Sequence, residues 1–217
     1  MPQRSQAVLE PRKSPVQVRS AASVDAILEA TVQVLLHVGK ERLTTTRVAL
    51  RAGVSVGTLY QYFPNKRALL QAALKHHLEE VTAAVELVCK EQQGRTLRKM
   101  VTALITAFLE AKMTDAKTSA ALYSVSSDVD GAKIAQQMGV RSNEAIARML
   151  ATANEPLTVD PQLVASMLQG TMFGVSRRML ESGAAEKQFD SLRGELVFLA
   201  CSYVDACSVR QSQRHVG

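Results

Sequence analysis

The chain has 217 residues, of which 47% are hydrophobic, only 4% are aromatic and none is Trp, so it can bury a sizeable, mainly aliphatic core. No uninterrupted apolar run reaches the roughly 18 residues that span a bilayer, and the first residues lack the apolar stretch of a secretory signal. Three cysteines make an odd count that is typical of reduced thiols. The composition therefore predicts a soluble, cytoplasmic protein without membrane contact.

The net charge of +6 is concentrated towards the N-terminal side of the chain. Residues 1–77 contain 11 Lys or Arg against 4 Asp or Glu, whereas residues 78–217 contain 15 against 16. This asymmetry favours a polyanion-binding head on a nearly neutral body. Residues 1–22 alone contribute +3. A solvated basic tail is therefore the alternative explanation for part of the charge asymmetry.

The first segment, residues 1–22, is rich in Pro, Gln, Ser and Arg and has no apolar periodicity. We expect a disordered arm. Its basic side chains can follow a phosphate backbone or stay solvated. These side chains are Arg4, Arg12, Lys13 and Arg19.

Helical periodicity begins after this arm and continues along the whole chain. Ser23 can cap a first helix that Gly39 ends, and no run of alternating residues indicates a strand. We therefore predict an all-α fold of about nine helices. The later helices are predicted at about 44–52, 56–63, 66–91, 96–112, 115–124, 131–153 with an interruption near Gly139, 161–181 and 189–209.

Residues 52–70 place turn residues between very short helices. Gly53 suits the left-handed residue that ends one helix, and Ser55 is placed to cap the next. Pro64 stops that helix, and Asn65 can cap another. A helix, a tight Gly turn and a short polar helix are the layout of a helix-turn-helix whose second helix enters the DNA major groove. Ala49, Val54 and Leu59 are predicted to form its small core.

Residues 43–70, L-T-T-T-R-V-A-L-R-A-G-V-S-V-G-T-L-Y-Q-Y-F-P-N-K-R-A-L-L, closely resemble the DNA-binding domain of TetR-family transcriptional repressors. The resemblance covers about residues 24–78. It implies a homodimer that binds a near-palindromic double-stranded DNA operator and is released when a small molecule enters the larger domain. The implied organisation is an arm (1–22), a three-helix helix-turn-helix domain (23–70) and a helical ligand-binding and dimerisation domain (71–217).

The resemblance also implies which residues contact DNA, with hydroxyl and ammonium groups on phosphates and the third helix on bases. Gln61 can bond bidentately to adenine, whereas Val56 reaches only a thymine methyl group. The family often has Lys or Arg at the position of Val56, and Arg47 can replace that contact. Tyr60 either packs or contacts a phosphate. The predicted DNA-binding residues are Thr45, Thr46, Arg47, Ser55, Val56, Gly57, Thr58, Tyr60, Gln61, Tyr62 and Lys66.

Seven of the eight Met residues lie beyond residue 78. Met fills ordinary helical cores, and it also lines pockets that adapt to apolar ligands of different shape. Together with nearby aromatic residues these positions suggest a cavity for a small apolar effector with few polar anchors. The predicted ligand-binding residues are Met100, Leu104, Phe108, Tyr123, Met138, Met149, Met167, Met172 and Phe173.

Small residues recur every four positions on the penultimate helix, a spacing that lets two helices approach closely. The last helix carries a second apolar stripe. Packing within one chain would explain both, but the resemblance favours a dimer interface. Its predicted residues are Ser166, Gly170, Gly174, Arg178, Leu192, Leu196, Leu199 and Tyr203.

The sequence has no recognisable signature of catalysis. The four His and three Cys residues form no metal-ligand pattern, and neither a nucleophile elbow nor a phosphate-binding Gly loop is present. We therefore expect no enzyme activity, no cofactor and no metal. The rival interpretations are a module that sequesters an apolar molecule and a helical enzyme with a retained DNA-binding head. The basic set Arg47, Lys66 and Arg67 argues against the first.

Overall fold

The computed structural model describes residues 15–182 and 185–208, and within them every regular element is helical apart from one isolated bridge between Leu157 and Ser208. The predicted all-α fold is confirmed, and nine α-helices lie in the described ranges. Their bounds are α1 Pro15–Arg42, α2 Thr45–Ala52, α3 Val56–Tyr62, α4 Lys66–Glu91, α5 Leu97–Met113, α6 Ala116–Ser124, α7 Gly131–Leu150, α8 Pro161–Glu181 and α9 Ala185–Ala206, with a 3₁₀ turn at Ser126–Asp128.

Two helices differ from the sequence prediction. Helix α1 begins at Pro15 instead of after Ser23, because Pro is well suited to a first helical position; residues 15–22 are thus helical, and residues 1–14 lie outside the described ranges. Helix α7 runs through Gly139 without a break. A single Gly lowers helix stability by only about 1 kcal/mol relative to Ala, and the buried Ile134, Met138 and Ile146 hold the helix on both sides.

The chain divides into two compact units, Met1–Leu69 and Leu70–Gly217. In the first unit α2 packs against α1 and α3. Its core consists of fully buried aliphatic side chains from the three helices, the connection between α1 and α2, and the start of α4. The members are Ile27, Leu43, Val48, Ala49, Leu59 and Leu69. Val54, which was predicted to join this core, is only half-buried.

One stretch of α1, Ala21–Arg42, is long and apolar enough by length and composition to cross a membrane. The sequence prediction, which considered only uninterrupted apolar runs, overlooked it. Ile27, Thr31 and Leu35 of this stretch are buried in the first unit. Its apolar face is therefore the packing face of a core helix.

The second unit is centred on α5, which packs against α9, while α7 packs against α8. One face of α5 is buried along its whole length. This continuous packing makes α5 the spine of the unit. Its buried residues are Leu97, Met100, Val101, Leu104, Ile105, Phe108 and Leu109.

The start of α7 is a tight chain reversal. Asp130 has a left-handed backbone (φ 56°), and Gly131 follows it as the first helical residue. A Cβ on Gly131 would lie 2.6 Å from the Ser126 Cβ and 2.7 Å from the Ser126 carbonyl oxygen. Only Gly fits this close approach.

We predict that Gly131→Ala lowers the free energy of unfolding by about 1–3 kcal/mol, because the new methyl group overlaps backbone atoms. The matched control is Gly139→Ala on the same helix, where a Cβ meets nothing within 4 Å. That change should be neutral or stabilising by about 0.5–1 kcal/mol. Urea denaturation measures both. A Gly131→Ala variant at least as stable as the Gly139→Ala variant would contradict this account of the α7 start.

Candidate nucleic-acid interface and ligand cavity

The turn between α2 and α3 is fixed by backbone geometry. Gly53 has a left-handed conformation (φ 68°, ψ 27°), as its position predicted, and its N–H bonds to the Leu50 carbonyl at 3.3 Å. The Val54 N–H donates to the Ala49 carbonyl at 3.0 Å. These bonds satisfy the end of α2 and set the direction in which the chain enters α3.

Helix α3 has only seven residues, and both its ends are capped. The Thr58 N–H donates to Ser55 Oγ at 2.9 Å, and Phe63 is extended (φ −130°, ψ 106°), as expected before a Pro. Leu59 is its one fully buried residue. One face is left exposed to solvent, and it carries four of the predicted DNA-binding residues. They are Val56, Gly57, Tyr60 and Gln61.

A hydroxyl pair links the exposed sides of α2 and α3. Tyr60 Oη and Thr45 Oγ1 lie 3.1 Å apart, at the N-terminus of α2. The helix cap itself is Thr44, whose Oγ1 accepts from the Arg47 N–H at 3.3 Å. The Tyr60 ring is 48% exposed, so this residue presents its hydroxyl outwards instead of packing in the core.

Other predicted contacts are less exposed. Thr58 and Tyr62 are half-buried, and the Thr58 hydroxyl lies 2.8 Å from Ser55 Oγ. The Tyr62 ring is 6.5 Å from that of Phe63. Ser55 acts as the N-cap of α3. Thr46, the residue after Thr45, is exposed.

Two predicted cationic residues also bond to carbonyl groups near the end of α1. The Lys66 ammonium donates to the Lys40 carbonyl at 2.6 Å, and the Arg47 guanidinium donates to the Arg42 carbonyl at 3.0 Å. Gly39 interrupts α1 there with a positive φ of 75°, which leaves carbonyl groups in need of donors. Sequence reasoning missed this role, although the predicted break at Gly39 was a signal for it.

The second unit contains a cavity of about 590 Å³. Five of the nine residues predicted for a ligand pocket line it: Phe108, Tyr123, Met138, Met172 and Phe173. The other four do not. Met100, Leu104 and Met149 are completely buried in the core, and Met167 is 52% exposed on the outside of α8. Helical periodicity places residues on an apolar face, but it does not distinguish a packed face from a cavity wall.

The cavity also contains polar groups that the sequence analysis did not single out. The Lys112 Nζ lies 5.5 Å from the Phe108 ring centroid and 5.4 Å from that of Phe173. Burial lowers the pKa of Lys112 to about 8. His77 Nε2 is 3.0 Å from Ser119 Oγ, and burial lowers the pKa of His77 as well. Lys112 follows Phe108 by four residues on α5, so the helical spacing could have revealed it.

The predicted dimer surface is partly exposed. Ser166, Gly170, Gly174 and Arg178 lie on the solvent side of α8, and Leu199 of α9 is exposed. Leu192 and Tyr203 are half-buried. Leu196 is only 4% exposed and belongs to the core, so it is not available to a second chain. Four further apolar residues are exposed on these helices: Leu163, Met167, Phe173 and Phe198.

The three cysteines of the chain are free thiols inside the second unit. Cys89, Cys201 and Cys207 are free and buried, and burial raises the pKa of Cys89 to about 12. A thiol with so high a pKa has almost no reactive thiolate at neutral pH. The described residues contain no cluster of His, Cys, Asp and Glu that could hold a metal ion; His215 lies outside them.

A three-helix unit with a left-handed Gly turn and a short, capped, outward-facing third helix defines the helix-turn-helix class of DNA-binding proteins. Residues 27–73 match the sequence model of bacterial regulatory proteins of the tetR family. Residues 96–203 match that of the tetracyclin repressor-like C-terminal domain. The chain belongs to the TetR family. It is a DNA-binding transcriptional regulator and not an enzyme, as these family members are non-enzymatic transcription factors.

Relatives with known roles resemble most of the chain. The transcriptional repressor KstR of Rhodococcus jostii is 31% identical over 147 residues, 65% of this chain and 65% of that repressor. The nucleoid occlusion factor SlmA of Klebsiella pneumoniae is 25% identical over 149 residues, 66% of this chain and 75% of that protein. A TetR-family regulator from Mesorhizobium loti shares the fold, with a TM-score of 0.71 at 19% identity over 88% of this chain and 99% of that one.

We predict that Lys112→Met raises the free energy of unfolding at pH 7 by about 1–3 kcal/mol. The folded-state pKa of about 8 lies below the ordinary 10.5, so the charged amine opposes folding, and the two aromatic rings offset part of that penalty. The penalty is complete below about pH 8 and disappears as the pH rises to about 10.5. The higher free energy of unfolding of Lys112→Met should therefore disappear as the pH rises from about 8 to about 10.5.

Urea denaturation at pH 7 and pH 10.5, at one protein concentration, measures this difference. Lys99→Met, at an exposed position of the same helix, is the control and should change stability little at either pH. A Lys112→Met variant less stable than the wild type at pH 7 would show that the amine stabilises the unit.

Proposed function

We propose that this protein is a ligand-responsive repressor that binds a near-palindromic operator as a homodimer and is released by a small apolar effector. The proposed division of labour is DNA binding by residues 23–70 and ligand binding with dimerisation by residues 71–217. We place the protein in the cytoplasm, where its operator would be. The observation that carries the proposal is the exposed polar face of α3 beside the N-terminus of α2.

The chemistry of this face suits separate phosphate and base contacts. Thr45, Thr46 and Tyr60 offer hydroxyl groups at the N-terminus of α2, where the helix dipole favours an anion. Gln61 is the exposed side chain of α3 that is suited to a bidentate bond with adenine. Gly57 has no Cβ, so the backbone can approach the groove floor closely. The phosphate contacts would orient the protein, and Gln61 would select sequence.

Exposed small and apolar residues support the homodimer. A Cβ on Gly170 would meet nothing within 4 Å in the monomer, so α8 leaves room there for another helix. Leu163 and Met167 of the same helix are 53% and 52% exposed. On α9, Phe198 is 69% exposed. Apolar surface of this kind marks association sites in soluble proteins.

Release requires that the effector bind one state of the protein better than the other. The cavity of the second unit supports an effector of modest size, because about 590 Å³ lies within the range of small-molecule sites. KstR, to which the chain is similar, is a transcriptional repressor. This similarity favours repression over activation.

We predict that Gln61→Ala weakens binding to the specific operator by about 5- to 150-fold, while binding to unrelated duplex changes little. The reason is the loss of a base contact without loss of a phosphate contact. Fluorescence anisotropy with a labelled duplex from the region upstream of the protein's own gene, at several salt concentrations, measures both affinities.

Gln93→Ala removes an equally exposed Gln from the loop after α4 and is the matched control; it should leave both affinities unchanged. Equal affinity of the wild type for upstream and unrelated duplexes at every salt concentration would defeat the repressor proposal. Equal weakening of both duplexes by Gln61→Ala would instead place Gln61 on the phosphate backbone.

A further inference from the structure

The wall of the cavity in the second unit is mainly apolar, but its charge is unbalanced. Its apolar part includes aliphatic side chains of α4 and the Met side chains of α7 and α8. The ionisable side chains that line it include His77, Lys112 and Arg177, whereas none of the described lining residues is Asp or Glu. The cavity is therefore cationic as well as apolar.

The Lys112 and Arg177 side chains differ in the partners of their charged groups. Arg177 donates to the Glu181 carboxylate at 2.7 Å and lies 5.3 Å from the Tyr123 ring. Lys112 has no described carboxylate within 4 Å of its ammonium group. The nearby Asp115 carboxylate accepts bonds from the N–H and hydroxyl of Thr118, as the cap of α6. Among the described residues, the contacts of the Lys112 ammonium group are the ring faces of Phe108 and Phe173.

Lys112 is half-buried. An ammonium group in this position opposes folding, since partial burial removes part of its hydration and no described carboxylate replaces it. A Met or Leu would pack in the same place without that penalty. Lys112 thus lowers the free energy of unfolding. Its positive charge is suited to binding an anionic group, which an apolar residue cannot do. A bound anion would supply the missing partner, and a hydrogen bond to a charged group contributes about 10- to 100-fold in affinity.

We propose that the cavity binds an amphiphile with an apolar body and a single anionic head, a medium- or long-chain carboxylate, with its head on Lys112. The apolar body lies against the wall that includes Val81, Val85, Met138 and Met172. This inference rests on the proposed function, in which the same cavity receives the effector. It replaces a merely apolar effector with one whose head group is specified.

Isothermal titration calorimetry with delipidated full-length protein, in the absence of DNA, tests the head group. The probes are decanoate, decan-1-ol and decyltrimethylammonium, each below its micelle concentration. The wild type should bind decanoate at least about tenfold more tightly than decanol, and the cation most weakly. Each CH₂ added between octanoate and dodecanoate should tighten binding about fourfold.

Lys112→Met should abolish the preference for decanoate over decanol, and Lys112→Arg should retain it. Lys99→Met, on the exposed side of α5, should behave as the wild type does. Circular dichroism and melting temperature establish that each variant is folded, and the comparison of head groups on the wild type needs no variant.

Equal binding of decanol and decanoate by the wild type, a preference that survives in Lys112→Met, or no binding of any probe at 1 mM, on the order of the weakest useful affinity, would overturn the proposal. Operator binding is measured separately on the same preparation. Loss of operator recognition with decanoate binding intact would refute the proposed repressor and not the proposed ligand class.

Discussion

The burial of Leu59 is the contact on which the proposed DNA-reading surface depends. Helix α3 has seven residues, too few for a stable isolated helix, and Leu59 is the one side chain it buries completely. Burying a Leu contributes about 1.5–3 kcal/mol to the stability of the folded state. The Ser55 cap and the Gly53 turn add to this contribution and together with it hold α3 in place. Because one inward residue fixes the rotation of so short a helix, Val56, Gly57, Tyr60 and Gln61 face outward together.

The second unit obeys a different constraint. Its core along α5 and α9 is closely packed, whereas the cavity bounded by α4, α7 and α8 holds the half-buried amine of Lys112, which has no described carboxylate within 4 Å. Proteins commonly accept lower stability where a site needs a charged or strained group. The first unit thus holds the side chains of α3 in fixed positions on its surface. The second unit contains a cavity lined by a positive charge that no described carboxylate balances.

Much of the first unit could be predicted from the sequence, because its signals are local. Gly53, Ser55, Pro64 and Asn65 each act within four residues of their own position, so their turns and caps were predicted correctly. The hydrogen bond from Lys66 to the Lys40 carbonyl spans 26 residues. The predicted break at Gly39 indicated that carbonyl groups there need donors, but sequence spacing does not identify Lys66 as the donor.

The cavity was harder to predict for the same reason. The apolar pattern of the second unit assigned Met100 and Met138 alike to a ligand cavity, yet one fills the core and the other lines the cavity. That difference depends on how α4, α7 and α8 pack, which the sequence does not encode locally. Leu196 was assigned to a dimer surface by the same reasoning and is buried within its own unit.

The most direct test of the central claim is selection of a random duplex DNA library with the full-length protein, followed by sequencing of the bound fraction. A dimer that reads DNA through two copies of α3 should enrich an inverted repeat, with half-sites separated by about 10 base pairs or a multiple of it. Enrichment should fall steeply as the salt concentration rises. A bound fraction with the same sequence composition as the input at every salt concentration would contradict the account.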